Sequence, residues 1–128
     1  MLEVGLSMEY EEEVTKEKLA SSKGSGALDV YATPEMITLM ERTALLAVSK
    51  SLPEGETTVG TAVNIKHVSP TVLGSKVRAT ARLIEVDGRR LLFEVKAFDE
   101  AGEIGSGTHE RYIVTIDRFL KKAESKKA

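Results

Sequence analysis

Leu2, Val4, Leu6, Met8 and Tyr10 occupy every second position, set against Glu3, Gly5, Ser7 and Glu9. Period two predicts a half-buried strand at the start of the chain. Lys16 to Asp29 (KEKLASSKGSGALD) keeps no period and is rich in Ser, Gly and Lys. A loop with at most a short helical turn is expected there. At Thr33 the signals change together. Thr33 suits an N-cap, Pro34 the first helical position and Glu35 the positive first turn of a helix. That helix is expected to run to about Leu52, where Pro53 and Gly55 stop it. Met36, Ile37, Leu39, Met40 and Ala44 to Val48 make it apolar on most sides, leaving Glu35, Thr38, Arg42 and Ser49 as one narrow polar stripe. Such a helix has to be wrapped by other structure.

From Thr57 the pattern is β. Strict alternation puts Val59, Thr61, Val63, Ile65 and His67 on one strand face and Gly60, Ala62, Asn64, Lys66 and Val68 on the other. Ser69-Pro70 ends that strand. Val77, Ala79, Ala81 and Leu83 mark the next, Asp87-Gly88 signals a two-residue hairpin, and Leu91–Phe98 returns. A turn over Asp99 to Gly102 leads into a long last strand, Ile104 to about Ile116. The order is strand, loop, buried helix and four strands on short turns, which one antiparallel sheet curled around one long helix satisfies: an α+β architecture. Residues 1–118 are expected to form this single domain and 119–128 a charged, solvated, frayed tail. One helix leaves much of a sheet uncovered, so dimerisation is expected.

Composition narrows the function without naming it. The chain has 128 residues, 41% apolar and 30% charged, with a net charge of −2. Nothing steers it globally toward nucleic acid or an anionic membrane, and 5% aromatics without Trp offer no stacking platform for single strands. The absence of cysteine removes a disulfide frame, a thiol nucleophile and Cys-ligated metal. No apolar run reaches the ~18 residues of a membrane span, and the N-terminus lacks signal-peptide character. A cytoplasmic location is expected, with no membrane and no nucleic-acid partner.

Three residues stand out against their surroundings. Glu41 has Ile37, Ala44, Leu45 and Val48 at helical spacing, so it is expected on the buried side, away from Arg42. A carboxylate there is either one half of a buried ion pair or a desolvated general base. His67 ends an apolar strand face; it is either a satisfied core histidine or a proton-transfer group beside that carboxylate. Thr33 is either an N-cap alone or a hydroxyl at a helix N-terminus where an oxyanion would be favoured. Eight residues separate Thr33 from Glu41, ~12 Å along the axis, so the two cannot touch directly. Gly60, inside a strand, marks a bulge, a close approach or an N–H left open for a ligand carbonyl. His109, in GTHERY, is expected to be structural or at the surface. Two histidines without clustered acids at ligand spacing make a weak metal site, and no metal is expected.

The strings ATPEMITLMERTA, TTVGTAVNIKHVSPT and GTHERYIV resemble the fluoroacetyl-CoA thioesterase-like family of hotdog proteins over roughly Ala27 to Ile116. The family's Thr, Glu and His functional positions fall on Thr33, Glu41 and His67 with their spacings of eight and 26 residues kept, and its carbonyl-contacting glycine falls on Gly60. The resemblance implies a hotdog fold, a homodimer with acyl-CoA bound near the interface, and hydrolysis of the thioester to a carboxylic acid and CoA without a cofactor. It implies catalytic roles for Thr33, Glu41 and His67 and a substrate contact from Gly60; Tyr31 and Arg111 are expected to contact the substrate as well. One departure is visible. The fluoroacetyl-specific enzyme has aromatic residues in the loop before the helix, whereas SSKGSGALDVY holds no Phe. A broader or different short acyl group is therefore expected. A non-catalytic acyl-CoA binder, a hydratase and a structural dimer with a buried Glu–His pair are the competing readings.

Overall fold

The computed structural model describes residues 2–127. Its five strands, β1 (Ser7–Glu13), β2 (Glu56–His67), β3 (Lys76–Asp87), β4 (Arg90–Asp99) and β5 (Gly102–Thr115), form one antiparallel sheet in the order β1-β3-β4-β5-β2. Helix α1 is a single turn (Ala20–Lys23), α2 spans Thr33–Ser49, and α3 spans Ile116–Ser125. The sheet curls around α2, as the alternation of small and branched residues requires. Val77, Ala79, Ala81 and Leu83 of β3 and Leu91, Phe93, Val95 and Ala97 of β4 are all fully buried under the helix. Met36, Leu39, Met40, Ala44 and Val48 meet them from α2. Alanines on the strands let the helix approach closely, and Gly105 on β5 faces Met36 for the same reason.

The first strand is shifted from its expected place. A turn at Val4-Gly5, with Gly5 at φ 104, interrupts the period-two run, and pairing with β3 begins only at Ser7. The charged end is solvent-facing as expected, yet Ile116–Ser125 is helical. Ile116, Phe119, Leu120 and Ala123 recur at i, i+3, i+4 and i+7, the spacing of one helix face.

Strict alternation fails once in β2. A register shift between Gly60 and Ala62 leaves Thr61 as the extra residue of a bulge. Gly60 faces Arg111, and Val63, Ile65 and His67 face His109, Gly107 and Gly105, all on the helix side of β5. Gly60 and His67, assigned to opposite faces by parity, therefore share the inner face. Val59 and Thr61 do not accompany them.

Strand β2 is also an edge, paired only with β5. Gly60 to Asn64 are exposed, and no charged side chain lies between Glu56 and Lys66. On the neighbouring side of α2, Ile37, Glu41 and Leu45 are only half-buried. Glu41 is thus not in the core of a single protomer, contrary to the expectation from its apolar neighbours; those neighbours themselves form an uncovered strip.

Candidate active site

Thr33 opens α2, but it does not cap it. Ala32 is the N-cap residue, with no side-chain capping bond. The Thr33 hydroxyl instead meets His67 at the far end of β2, with Oγ1 and Nδ1 2.7 Å apart. The cap explanation for Thr33 is thereby removed. A hydroxyl on an imidazole nitrogen at this distance is the arrangement in which a base takes a proton from a nucleophile or from a water beside it.

The imidazole is held neutral. Burial pushes its pKa below the ordinary 6.5, opposed in part by a backbone hydrogen bond at Ser69. Its other nitrogen, Nε2, is buried and has no hydrogen-bond partner. A buried polar atom without a partner costs about 1–3 kcal/mol, and a group from outside the protomer would reach Nε2 only with a small shift of the ring or its cover.

Around Thr33 and His67 lies a depression of about 310 Å³ walled by Ala20, Ser25, Val30, Tyr31 and Pro70. No Phe lines it, in keeping with the loop sequence. Tyr31 contributes only its ring. It is 1% exposed, and its hydroxyl donates to Glu12 Oε2 at 2.6 Å. Burial and the Glu12 carboxylate push its ionisation far above that of an ordinary phenol. Lys18 pairs with the other Glu12 oxygen at 2.8 Å, so this network ties β1 and the loop to the start of α2.

A second cluster lies at Gly60, seven residues before His67 on β2. A Cβ added to Gly60 would stand 2.8 Å from Glu41 Oε2 and 3.1 Å from His109 Cε1, so any side chain here would push the Glu41 carboxylate away from the strand. Arg111 is 6% exposed. Its Nε donates to Thr58 Oγ1 at 2.8 Å, one Nη to the Thr58 carbonyl at 2.9 Å, and the other to His109 Nε2 at 3.1 Å. Arginine can only donate, so His109 Nε2 accepts and Nδ1 carries the proton that goes to the Ala62 carbonyl at 2.9 Å. Burial first, and Arg111 after it, lower the His109 pKa and keep this tautomer neutral. His109 is structural, as expected, and buried: it pins the bulge that turns Gly60 inward. Arg111 is committed to the protein rather than open to a ligand, and its positive charge faces the Glu41 carboxylate.

Two pairs result. The fold joins Thr33 to His67 and Glu41 to Gly60, but within one protomer it does not join the pairs. Thr58 and the positioning role of His109 escaped the sequence because both depend on the Thr61 bulge. Among the described residues no group of His, Asp and Glu is suited to a metal, and no helix is long and apolar enough to cross a membrane.

Residues 14–117 match the family described as fluoroacetyl-CoA-specific thioesterase. The fluoroacetyl-CoA thioesterase of Streptantibioticus cattleyicolor is 42% identical over 98 residues, covering 77% of this chain and 70% of that protein. A solved fluoroacetyl-CoA thioesterase superposes with a TM-score of 0.93 at 34% identity, over 98% of both chains. A thioesterase superfamily member from Thermus thermophilus follows with a TM-score of 0.88 at 27% identity, over 98% of this chain and 96% of that one. The hotdog architecture is common to them and to the sheet and helix described above.

Proposed function

The chain belongs to the fluoroacetyl-CoA-specific thioesterase family and is an acyl-CoA thioesterase, and from that premise we propose that Thr33 and His67 of one subunit act with Glu41 and Gly60 of the partner subunit. The observation that carries this reading is the 2.7 Å contact of Thr33 Oγ1 with His67 Nδ1, beside a buried Nε2 that lacks an acceptor. Its completion requires a homodimer. Strand β2 is a long edge without protecting charges, the kind of edge that pairs with another chain. In a two-fold pair the strands run oppositely, and an axis passing near Val63 and Asn64 brings the Gly60 segment of one subunit alongside His67 of the other. The half-buried strip Ile37–Glu41–Leu45 is covered in the same event.

The chemistry follows from these groups. His67 Nδ1 takes the proton of Thr33 Oγ1, or of a water that Thr33 positions, as that oxygen attacks the thioester carbonyl carbon. His67 Nε2–H donates to Glu41 of the partner subunit, which fixes the tautomer and stabilises the imidazolium as it forms. The N–H of Gly60 polarises the carbonyl oxygen. The C–S bond breaks, the imidazolium returns its proton to the CoA sulfur, and water releases the acid if Thr33 was acylated. An uncharged depression of modest size without a phenylalanine wall suits a short acyl group and gives no basis for preferring a fluorinated one. The same substrate favours a cytoplasmic location.

The pH dependence of thiol release from a short-chain acyl-CoA tests this assignment. A base must be neutral, so kcat/KM should be flat at high pH and fall along an acid limb as His67 is protonated. Burial lowers the midpoint of that limb from 6.5, and the Glu41 carboxylate opposes burial by favouring the imidazolium. Glu41→Gln should therefore lower the rate and move the midpoint to more acid pH. A midpoint that stays in place after the substitution contradicts the Glu41–His67 pairing.

A further inference from the structure

Helix α3 lies against the last residues of β5 and leaves between them a groove of about 480 Å³, within the size range of small-molecule sites. Ile113 and Phe119 supply an apolar floor, and Arg89, Arg118 and Lys122 stand around it. Phe119 is 40% exposed, an aromatic face left available. Arg89 is preplaced, donating to the Ile113 carbonyl at 3.1 Å and to Glu56 at 3.0 Å. Among the described residues Arg118 and Lys122 make no ion pair. Uncompensated cations beside an aromatic floor match a phosphorylated nucleoside, with the base on the ring and the phosphates on the guanidinium and ammonium groups.

The reacting centre has no such cations. The depression at Thr33 and His67 is lined by neither Lys nor Arg, and Arg111 beside Gly60 is buried, with each of its three side-chain nitrogens bonded to Thr58 or His109. The phosphates of a CoA thioester must find their counter-charges elsewhere. Gly60 pairs with Arg111 and Glu56 with Thr115, so the α3 end of this strand pair lies about 14 Å along it from Gly60 at the rise of an antiparallel strand. That interval is one the extended pantetheine arm can bridge.

We propose that the groove between α3 and β5 holds the phosphorylated adenosine end of the acyl-CoA whose thioester reacts beside Gly60 of the same subunit. The substrate class rests on the thioesterase reading above; the groove and its charges do not.

Two measurements separate the failures. The first compares kcat/KM for an acyl-CoA with that for the corresponding acyl-pantetheine, which lacks the nucleotide. In Arg118→Glu/Lys122→Glu the advantage of the CoA substrate should shrink by roughly tenfold or more, the range for two charge-assisted contacts. Reversing as much charge on the outer sheet face, in Arg82→Glu/Lys96→Glu, should leave that advantage in place, which excludes general electrostatic steering. The second titrates adenosine 3′,5′-bisphosphate into isotope-labelled protein and maps the amide shifts. Shifts centred on Ile113 and Arg118 to Lys122, absent in the charge-reversed variant, support the groove even if no thioester is turned over, a result that would sink only the hydrolase reading. Shifts centred elsewhere, no shifts at all, or an undiminished CoA advantage in the α3 variant overturn it.

Discussion

His67→Ala is expected to lower kcat/KM for a short acyl-CoA by about 10²–10⁴, the range for loss of a general base, while leaving the fold in place. His67 is half-buried and its Nε2 has no partner within the protomer, so its removal opens a small cavity but strands no second buried group. Thr33 should behave as part of the same unit, because its hydroxyl bonds to the ring and not to the helix end. The Thr33→Ala/His67→Ala double variant should therefore fall little below His67→Ala alone, as groups acting together do. Single-turnover rates with circular dichroism controls read this directly. Multiplicative losses in the double variant would show that the two side chains act separately, and a large residual rate in Thr33→Ala would assign the attack to water.

Gly107→Ala should be the most damaging small substitution in the sheet. A Cβ at this position would lie 2.0 Å from the Asn64 carbonyl oxygen and 2.9 Å from Ile65 Cα. Both are backbone atoms of β2, and backbone cannot rotate out of the way as a side chain does. Strand β2 must leave β5 locally, breaking ladder bonds on either side of the Gly107↔Ile65 pair. A loss of roughly 4 kcal/mol or more is expected, the tail of the distribution reached only by named defects. Because β2 also positions Gly60 and His67, thioester hydrolysis should be lost with it. Urea unfolding together with amide exchange along β2 is the check. A variant within about 0.5 kcal/mol of wild type would mean that the strands are not in the register described here.

The sequence read most clearly where local pattern and burial agree. Val77, Ala79, Ala81 and Leu83, then Leu91 to Ala97, alternate without interruption, and each inward residue is fully buried. The start of α2 was also legible, since Pro34 and Glu35 mark a first turn whatever the cap. Where a single residue changes parity, pattern fails: Thr61 adds one position to β2 and carries Gly60 onto the face of His67, which no periodicity displays. Helix α3 was hidden by composition. Its lysines suggested a solvated end, although Ile116, Phe119 and Leu120 kept helical spacing. The apolar neighbours of Glu41 predict a core position, but those neighbours form a strip that one protomer leaves half-exposed. The same half-exposed strip is apolar surface that a second copy of the chain would cover. The Thr33–His67 contact joins residues 34 apart in sequence; spacing gives no distance between them, and the family resemblance implies only that both serve the reaction.

The central claim is that each catalytic centre is shared between two subunits, and mixing two inactive variants tests it most directly. Glu41→Gln and His67→Ala are each purified, combined in equal amounts, dissociated and allowed to re-pair. A mixed dimer then contains one centre with Thr33, His67 and Glu41 all intact and one with both defects. Recovery to about one quarter of wild-type thiol release is the predicted result for random pairing of a two-fold dimer. A mixture that mass spectrometry shows to have exchanged subunits, yet that stays as inactive as its components, would contradict the shared site and return Glu41 to the subunit of its own His67.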